Sequence, residues 1–145
     1  MFVTQILNSK QMSGVLTIDP GATVADAVAE LAARRIGALV VSSDGRAAEG
    51  ILSERDIVRE LGRAGAAVME KTVADLMTHD LKTCAPGDDA QAVLTAMTAG
   101  RFRHMPVEED GMLIGLISIG DVVKARLSEI SMEKDALEAM IAGHG

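Results

Sequence analysis

Two copies of one short motif hold the side chains best placed for chemistry. Ser53 and Asp56 stand three residues apart, and Ser118 and Asp121 repeat that spacing. At the start of a helix this puts both side chains on one edge of the first turn. The carboxylate can accept both hydroxyls of a ribose there, and the serine can reach sugar or phosphate. The same pair also makes an ordinary helix cap, Ser accepting from a backbone N–H while the acid favours the N-terminus. Both readings stand on sequence alone. Candidate cations are Lys10, Arg34, Arg35, Arg55, Arg101 and Arg103. Arg55, one residue before Asp56, and Lys10, before the first strand, are the preferred phosphate partners, because a buried anion without a counter-charge is costly.

The elements that position these groups come from an internal repeat. Val15–Gly45 aligns with Leu81–Gly111, so that Thr17 meets Thr83, Pro20 meets Pro86, Gly21 meets Gly87 and Arg35 meets Arg101. After a one-residue deletion, Gly50–Val58 lies on Gly115–Val123, matching Ser53 with Ser118 and Asp56 with Asp121. The lead-in is shared as well, Val3–Leu7 resembling Val73–Met77.

Each copy reads as strand, helix, strand, strand, helix. Short strands are expected at Val15–Ile18 and Leu81–Cys84, each followed by a Pro-Gly turn. Apolar residues then recur at helical spacing, Val24, Ala27, Val28, Leu31 and Ala90, Val93, Leu94, Met97, with Thr23 and Asp89 as candidate N-caps. Strands follow at Ala38–Val41 and Met105–Val107, tight turns at Asp44-Gly45 and Asp110-Gly111, and third strands at Gly50–Leu52 and Leu113–Ile117. The last helix of each copy starts near Ser53 or Ser118. The fold class is α/β (α+β). The expected division is repeat one at 12–62 behind a leading segment 1–11, an exposed linker at 63–76, repeat two at 77–127, and a helical tail at 128–145. A unit of this size cannot bury its sheet alone, so the halves should pack sheet to sheet as one pseudo-two-fold body.

Composition narrows the function classes. Of 145 residues, 48% are hydrophobic and 24% charged, which excludes a disordered chain. With two Phe, no Trp and no Tyr, the core must be aliphatic, with the nine Met filling gaps. A net charge of −7 argues against a nucleic-acid face, although a locally positive pocket remains open to an anion. The single cysteine, Cys84, points to a reducing, cytoplasmic setting. No signal peptide and no membrane span is expected. His79 and His144 lack ligand-type companions at metal spacing, so no metal is expected. Phosphate-loop, dinucleotide, zinc-protease, nucleophile-elbow and Cys/His signatures are all missing, so no catalytic residue and no catalytic cofactor is expected.

The tandem unit ending in G-h-h-S-x-x-D resembles the CBS domain, named after cystathionine β-synthase. IGALVV and GILSERDIVRELG carry the likeness in the first half, RHMPV and GLISIGDVVK in the second, with VADLMT between. The resemblance covers residues 3–126 and is closest to the bacterial stand-alone pairs. It implies a disc-like pair with two clefts that bind AMP, ADP, ATP, NAD(H) or S-adenosylmethionine. It also implies a flat homodimer built on the domain helices, here with the tail, and an unidentified regulated partner protein.

Carried over residue by residue, the resemblance assigns Thr17, Ile18, Asp19 and their counterparts Thr83 and Cys84 to base and phosphate contacts at the first strand's end. It places an adenine against Gly37, Ala38 and Leu39 in one copy, and Arg103, His104, Met105 and Pro106 in the other. Met105-Pro106 fits the family's apolar-proline pattern, whereas Val40 stands where the first copy would have proline; proline fixes φ and removes a donor. It assigns Ser53, Asp56, Ser118 and Asp121 to the ribose, with Arg55, Arg101, Lys10 and His104 as phosphate candidates. The first motif encloses Glu54-Arg55 and the second Ile119-Gly120, which predicts unequal sites. Degenerate clefts on a dimeric interaction scaffold are the rival reading. Ile130, Leu137, Met140 and Ile141 follow a helical pattern suited to packing back on the body or against a second chain.

Overall fold

A computed structural model describes residues 1–10 and 15–143; His144 and the expected start of repeat one at 12 lie outside the described residues. The order is α1 (Val3–Ser9), β1 (Thr17–Ile18), α2 (Val24–Arg34), β2 (Ala38–Val41), β3 (Gly50–Ser53), α3 (Glu54–Ala64), a 3-10 turn (Ala66–Glu70), α4 (Val73–Leu76), α5 (Ala90–Gly100), β4 (His104–Glu109), β5 (Met112–Ser118) and α6 (Ile119–Gly143).

The two halves are built alike but not equally. In the first, β1 runs parallel to β2, which pairs antiparallel with β3. In the second, β4 and β5 form an antiparallel hairpin. The expected strand Leu81–Cys84 reduces to one parallel bridge, Cys84 to Val107, at the position equivalent to the Ile18–Val41 pair. Thr83 and Lys82 are exposed, so only Cys84 has burial to gain from joining the sheet.

Turn chemistry also separates the halves. Asp110 and Gly111 take φ 53° and 75°, the two positive values of a two-residue hairpin turn. The corresponding Asp44-Gly45 is not a tight turn, because the chain does not pair again until Gly50. There the Asp44 carboxylate accepts from the Arg46 and Ala47 amides at 2.8 and 3.1 Å and orders a longer loop.

Caps and cores show an exchange. Thr23 caps α2, its Oγ1 accepting from the Asp26 amide at 3.1 Å. Asp89 makes no such side-chain bond at α5, contrary to expectation. In both copies backbone from a leading segment meets the first amide: Ala90 donates to the Met1 carbonyl at 2.9 Å, and Val24 to that of Lys71 at 2.8 Å. Accordingly α1, which precedes the first repeat, buries Val3 and Ile6 among Val93, Met97, Val107 and Ile117 of the second. In return, Val73 of α4 completes the first repeat's core with Val24, Leu39 and Leu52.

Residues 63–76 are therefore no exposed linker. Val68 and Val73 are fully buried in that core. Gly50 and Gly115 make the exchange possible: a Cβ at Gly50 would sit 2.6 Å from the Met77 sulfur, and one at Gly115 would sit 2.5 Å from a Leu7 methyl. Ala38 and Val40, on the β2 face away from the helices, are buried as well, so that sheet is covered on both sides.

Candidate functional site

Two clefts lie where the halves meet, and each is built crosswise. The larger, 460 Å³, takes Ser53 at the end of β3 and Arg55, Asp56 and Arg59 of α3 from the first repeat. Its other wall comes from the second repeat: Thr78, the Asp80–Lys82 stretch, Gly100–His104 and Pro106. The smaller, 370 Å³, joins Ser118 and Asp121 of the second repeat to Val15, Leu16 and Arg35–Ala38 of the first, with Lys10 at its edge. The acid of one copy thus faces the strand of the other. Within each repeat a backbone bond sets the helix start: the Glu54 amide donates to the Gly37 carbonyl at 2.9 Å, and the Ile119 amide to that of Arg103 at 2.8 Å. Each helix start is pinned beside the strand that follows its partner carbonyl.

Both S-x-x-D motifs cap their helices and both line a cleft. Asp56 is 8% exposed. Its Oδ2 accepts from the Ser53 amide and hydroxyl at 3.0 and 2.9 Å, and its Oδ1 from the Arg59 guanidinium at 2.9 Å. Asp121 Oδ2 accepts from the Ser118 amide at 2.9 Å and from Lys10 Nζ at 2.8 Å. Lys10 also donates to the Leu116 carbonyl at 2.8 Å. Burial opposes ionisation of Asp121, but the bonds from Lys10 and Ser118 outweigh it, and the carboxyl titrates below its ordinary value. Lys10 is thus committed to an acid inside the smaller cleft.

Charge divides the clefts further. Arg55, Arg59, Lys82, Arg101 and Arg103 border the larger one, against Glu54, Asp56 and Asp80. The smaller holds only Lys10 and Arg35 opposite Asp121. Arg35 and Arg101 occupy equivalent left-handed positions, φ 55° and 56°, where helices usually end in glycine. An arginine there costs on the order of 1 kcal/mol, and each side chain borders a cleft. His104 and Gly37 line both, and a Cβ on Gly37 would sit 3.3 Å from the imidazole. Burial holds the His104 pKa below its ordinary value, with Glu54 and Asp121 pulling the other way, so the ring is neutral at physiological pH.

Of the expected site residues, the structure gathers Ser53, Arg55, Asp56, Arg101, Arg103, His104 and Pro106 in the larger cleft. Lys10, Ala38, Ser118 and Asp121 gather in the smaller, with Gly37 and His104 shared. The side chains of Ile18, Leu39, Cys84 and Met105 belong instead to the two cores, because strand alternation turns them toward the helices. Burial pushes the Cys84 thiol up to about 12, with Asp88 adding to the effect. Thr17 pairs with Val40, and Asp19 accepts from the Gly21 amide at 2.7 Å; neither lines a cleft, nor does Thr83. Arg59, Lys82 and Phe102 were not expected. Arg59, three residues after Asp56 on the same helix face, was the one with a readable signal.

Among the described residues no cluster could hold a metal, and no helix is long and apolar enough to cross a membrane. The family model described as the CBS domain matches residues 6–63 and again 73–128. The chain belongs to the CBS-domain family. A CBS-domain protein of known structure from Agrobacterium tumefaciens is 40% identical, covers 87% of this chain and 99% of its own, and superposes with a TM-score of 0.82. The mitochondrial CBS domain-containing protein CBSX3 of Arabidopsis thaliana is 39% identical over 83% of this chain, which spans 61% of that relative's length. The CBS domain pair of protein MJ0100, solved with 5′-methylthioadenosine and S-adenosyl-L-methionine, shares the fold at 18% identity and a TM-score of 0.77. CBS pair proteins are regulatory modules.

Proposed function

We propose that this CBS pair is a non-catalytic sensor that binds an adenine nucleotide carrying phosphates in the larger cleft. One observation carries the reading. Asp56, capping α3 and nearly buried, faces the Pro106 strand across a cavity rimmed by five cationic side chains. The Ser53–Asp56 turn meets the ribose, the Pro106 edge receives the base, and Arg55, Arg101, Arg103 and Lys82 meet the phosphates. AMP, ADP, ATP and NAD(H) all present that combination, and the rim favours the more highly charged members.

Site residues Gly37, Ala38, Ser118, Asp121, Lys10 and His104 form a second, weaker site. With no proline opposite and Lys10 tied to Asp121, it suits an uncharged or zwitterionic adenosine ligand such as S-adenosylmethionine. His104, in the shared wall, lets occupation of one cleft bias the other, the population shift by which a module of this kind reports ligand. The module works as a cytoplasmic homodimer that passes the shift to a regulated partner; exposed Val58 on α3 offers a place for that contact.

A direct test uses the missing Trp and Tyr, which leave the protein almost transparent at 280 nm. Gently purified protein should carry a 260 nm band that dialysis removes. Calorimetry should then show ATP, AMP or NADH binding with one dominant site. No such band, and no heat from these or from S-adenosylmethionine, would leave the scaffold reading in place.

A further inference from the structure

Helix α6 leaves the body it starts on. Val122 and Ala125 are buried against the second repeat, but nothing in the helix beyond that point is buried. Its 25 residues make a rod of roughly 37 Å, of which the distal half stands in solvent. Beyond Ala125, Leu127, Ile130, Leu137 and Ile141 are exposed by 63, 52, 58 and 68%. A short, lone helix displaying so much apolar surface is marginal in water, and it needs a cover.

The positions of these residues say what the cover is. Val123, Leu127, Ile130, Lys134, Leu137 and Ile141 alternate four and three apart, the seam of a coiled coil. The seam is also palindromic about Met132: turned end for end, it places Leu127 opposite the partner's Leu137, Val123 opposite the partner's Ile141, and Ile130 opposite the partner's Lys134. Charge selects that orientation. Antiparallel pairing sets Lys124 beside the partner's Glu138, twice by symmetry, against a single Glu133 pair at the two-fold axis. Parallel pairing sets Lys134 against the partner's Lys134 and Glu133 beside the partner's Glu138, all like charges. A lysine in the seam is a device that fixes alignment at some cost in stability.

We propose that residues 123–141 of α6 pair antiparallel with the same segment of a second copy of this chain, centred on Met132. The interface is isologous and closed, as a two-fold dimer requires. It keeps the two nucleotide-binding bodies at opposite ends of the paired helices, and brings each helix tip to the base of the other's α6. The inference deepens the homodimer reading above and rests on it, but it does not depend on the nucleotide assignment.

Cysteine cross-linking of the full chain decides it. Cys84 is the only native cysteine and is buried, so it stays silent. L127C and L137C are prepared separately, one labelled with nitrogen-15, then mixed and oxidised. The expected product is the mixed disulfide, in at least several-fold excess over either self-disulfide. In a second arm, K124E and E138K each raise the dimer dissociation constant about tenfold in sedimentation, and the double exchange restores it. Circular dichroism of each variant confirms folding. Self-disulfides in excess overturn the antiparallel orientation. A stable dimer that gives no cross-link and ignores the charge exchange overturns the pairing and leaves a homodimer through the bodies. A monomer at all concentrations overturns both, and assigns the seam to a different protein.

Discussion

The two clefts use nearly the same backbone and should not do the same work. Each has a Ser-x-x-Asp cap on a helix pinned to its own repeat's second strand, and each borders a left-handed arginine. The larger adds Arg55, Arg59, Lys82 and Arg103 and faces Pro106. The smaller has Ile119-Gly120 within its motif, Val40 in place of proline, and an acid bonded to Lys10 at 2.8 Å. Duplication preserved the frame, and a handful of side chains made the two clefts unequal. Because the walls are exchanged, the Arg-bearing acid and the proline-bearing strand meet in one cleft although they come from different repeats.

Several experiments would break or sharpen this contrast. The strongest effect is expected from R55A combined with R103A. Removing two charge-assisted phosphate contacts should weaken ATP binding by about a hundredfold while moving adenosine little. Equal losses for both ligands in calorimetry would show that the rim does not read phosphate. Next comes the exchanged leading helices. G50A should cost about 1–3 kcal/mol in urea denaturation, because its new Cβ also meets the Thr78 carbonyl at 3.0 Å. G115A should cost less, since a Leu7 methyl can rotate away; the reverse order would contradict the packing.

A pH effect of moderate size follows from His104. Its folded pKa lies below the ordinary 6.5, so between the two values the unfolded chain binds more protons than the folded one. The histidine's contribution to stability is therefore present above pH 6.5 and is lost as pH falls below it. The groups facing it are Glu54, Asp121, Lys10 and Arg103, and the first two limit the shift. H104N should flatten the dependence of the urea midpoint between about pH 7 and about pH 5.5; an unchanged slope would place the effect elsewhere. The smallest change is expected from K10M. The Lys10–Asp121 pair is about a quarter exposed, so stability should drop by under about 1 kcal/mol. The Asp121 carboxyl, left to burial, should titrate higher by NMR.

Much of this was legible in the sequence, for definite reasons. Period and caps marked the helices, because Val24, Ala27 and Leu31 must share a face and Thr23 must accept from Asp26. The repeat placed Ser53 with Ser118 and Asp56 with Asp121 in equivalent frames. What sequence did not reveal was long-range. Nothing local in Val68 says that it is core rather than linker, because its burial depends on the 3-10 turn folding back onto α2 and α3. Asp89 looks like a cap, but its side chain accepts from no amide of α5. Leu39 and Met105 belong to motifs that line clefts, yet strand alternation turns those two side chains inward. Lys10 reads as a free cation until α1 is seen to carry it beside Asp121.

The central claim is that the acid of the larger cleft, rather than its twin, holds the nucleotide. Calorimetric titration of ATP into the native chain, D56A and D121A, side by side, tests it most directly. The account predicts that D56A weakens the dominant site at least tenfold while D121A leaves its affinity and stoichiometry unchanged. An intact dominant site in folded D56A, or its loss in D121A, would contradict it.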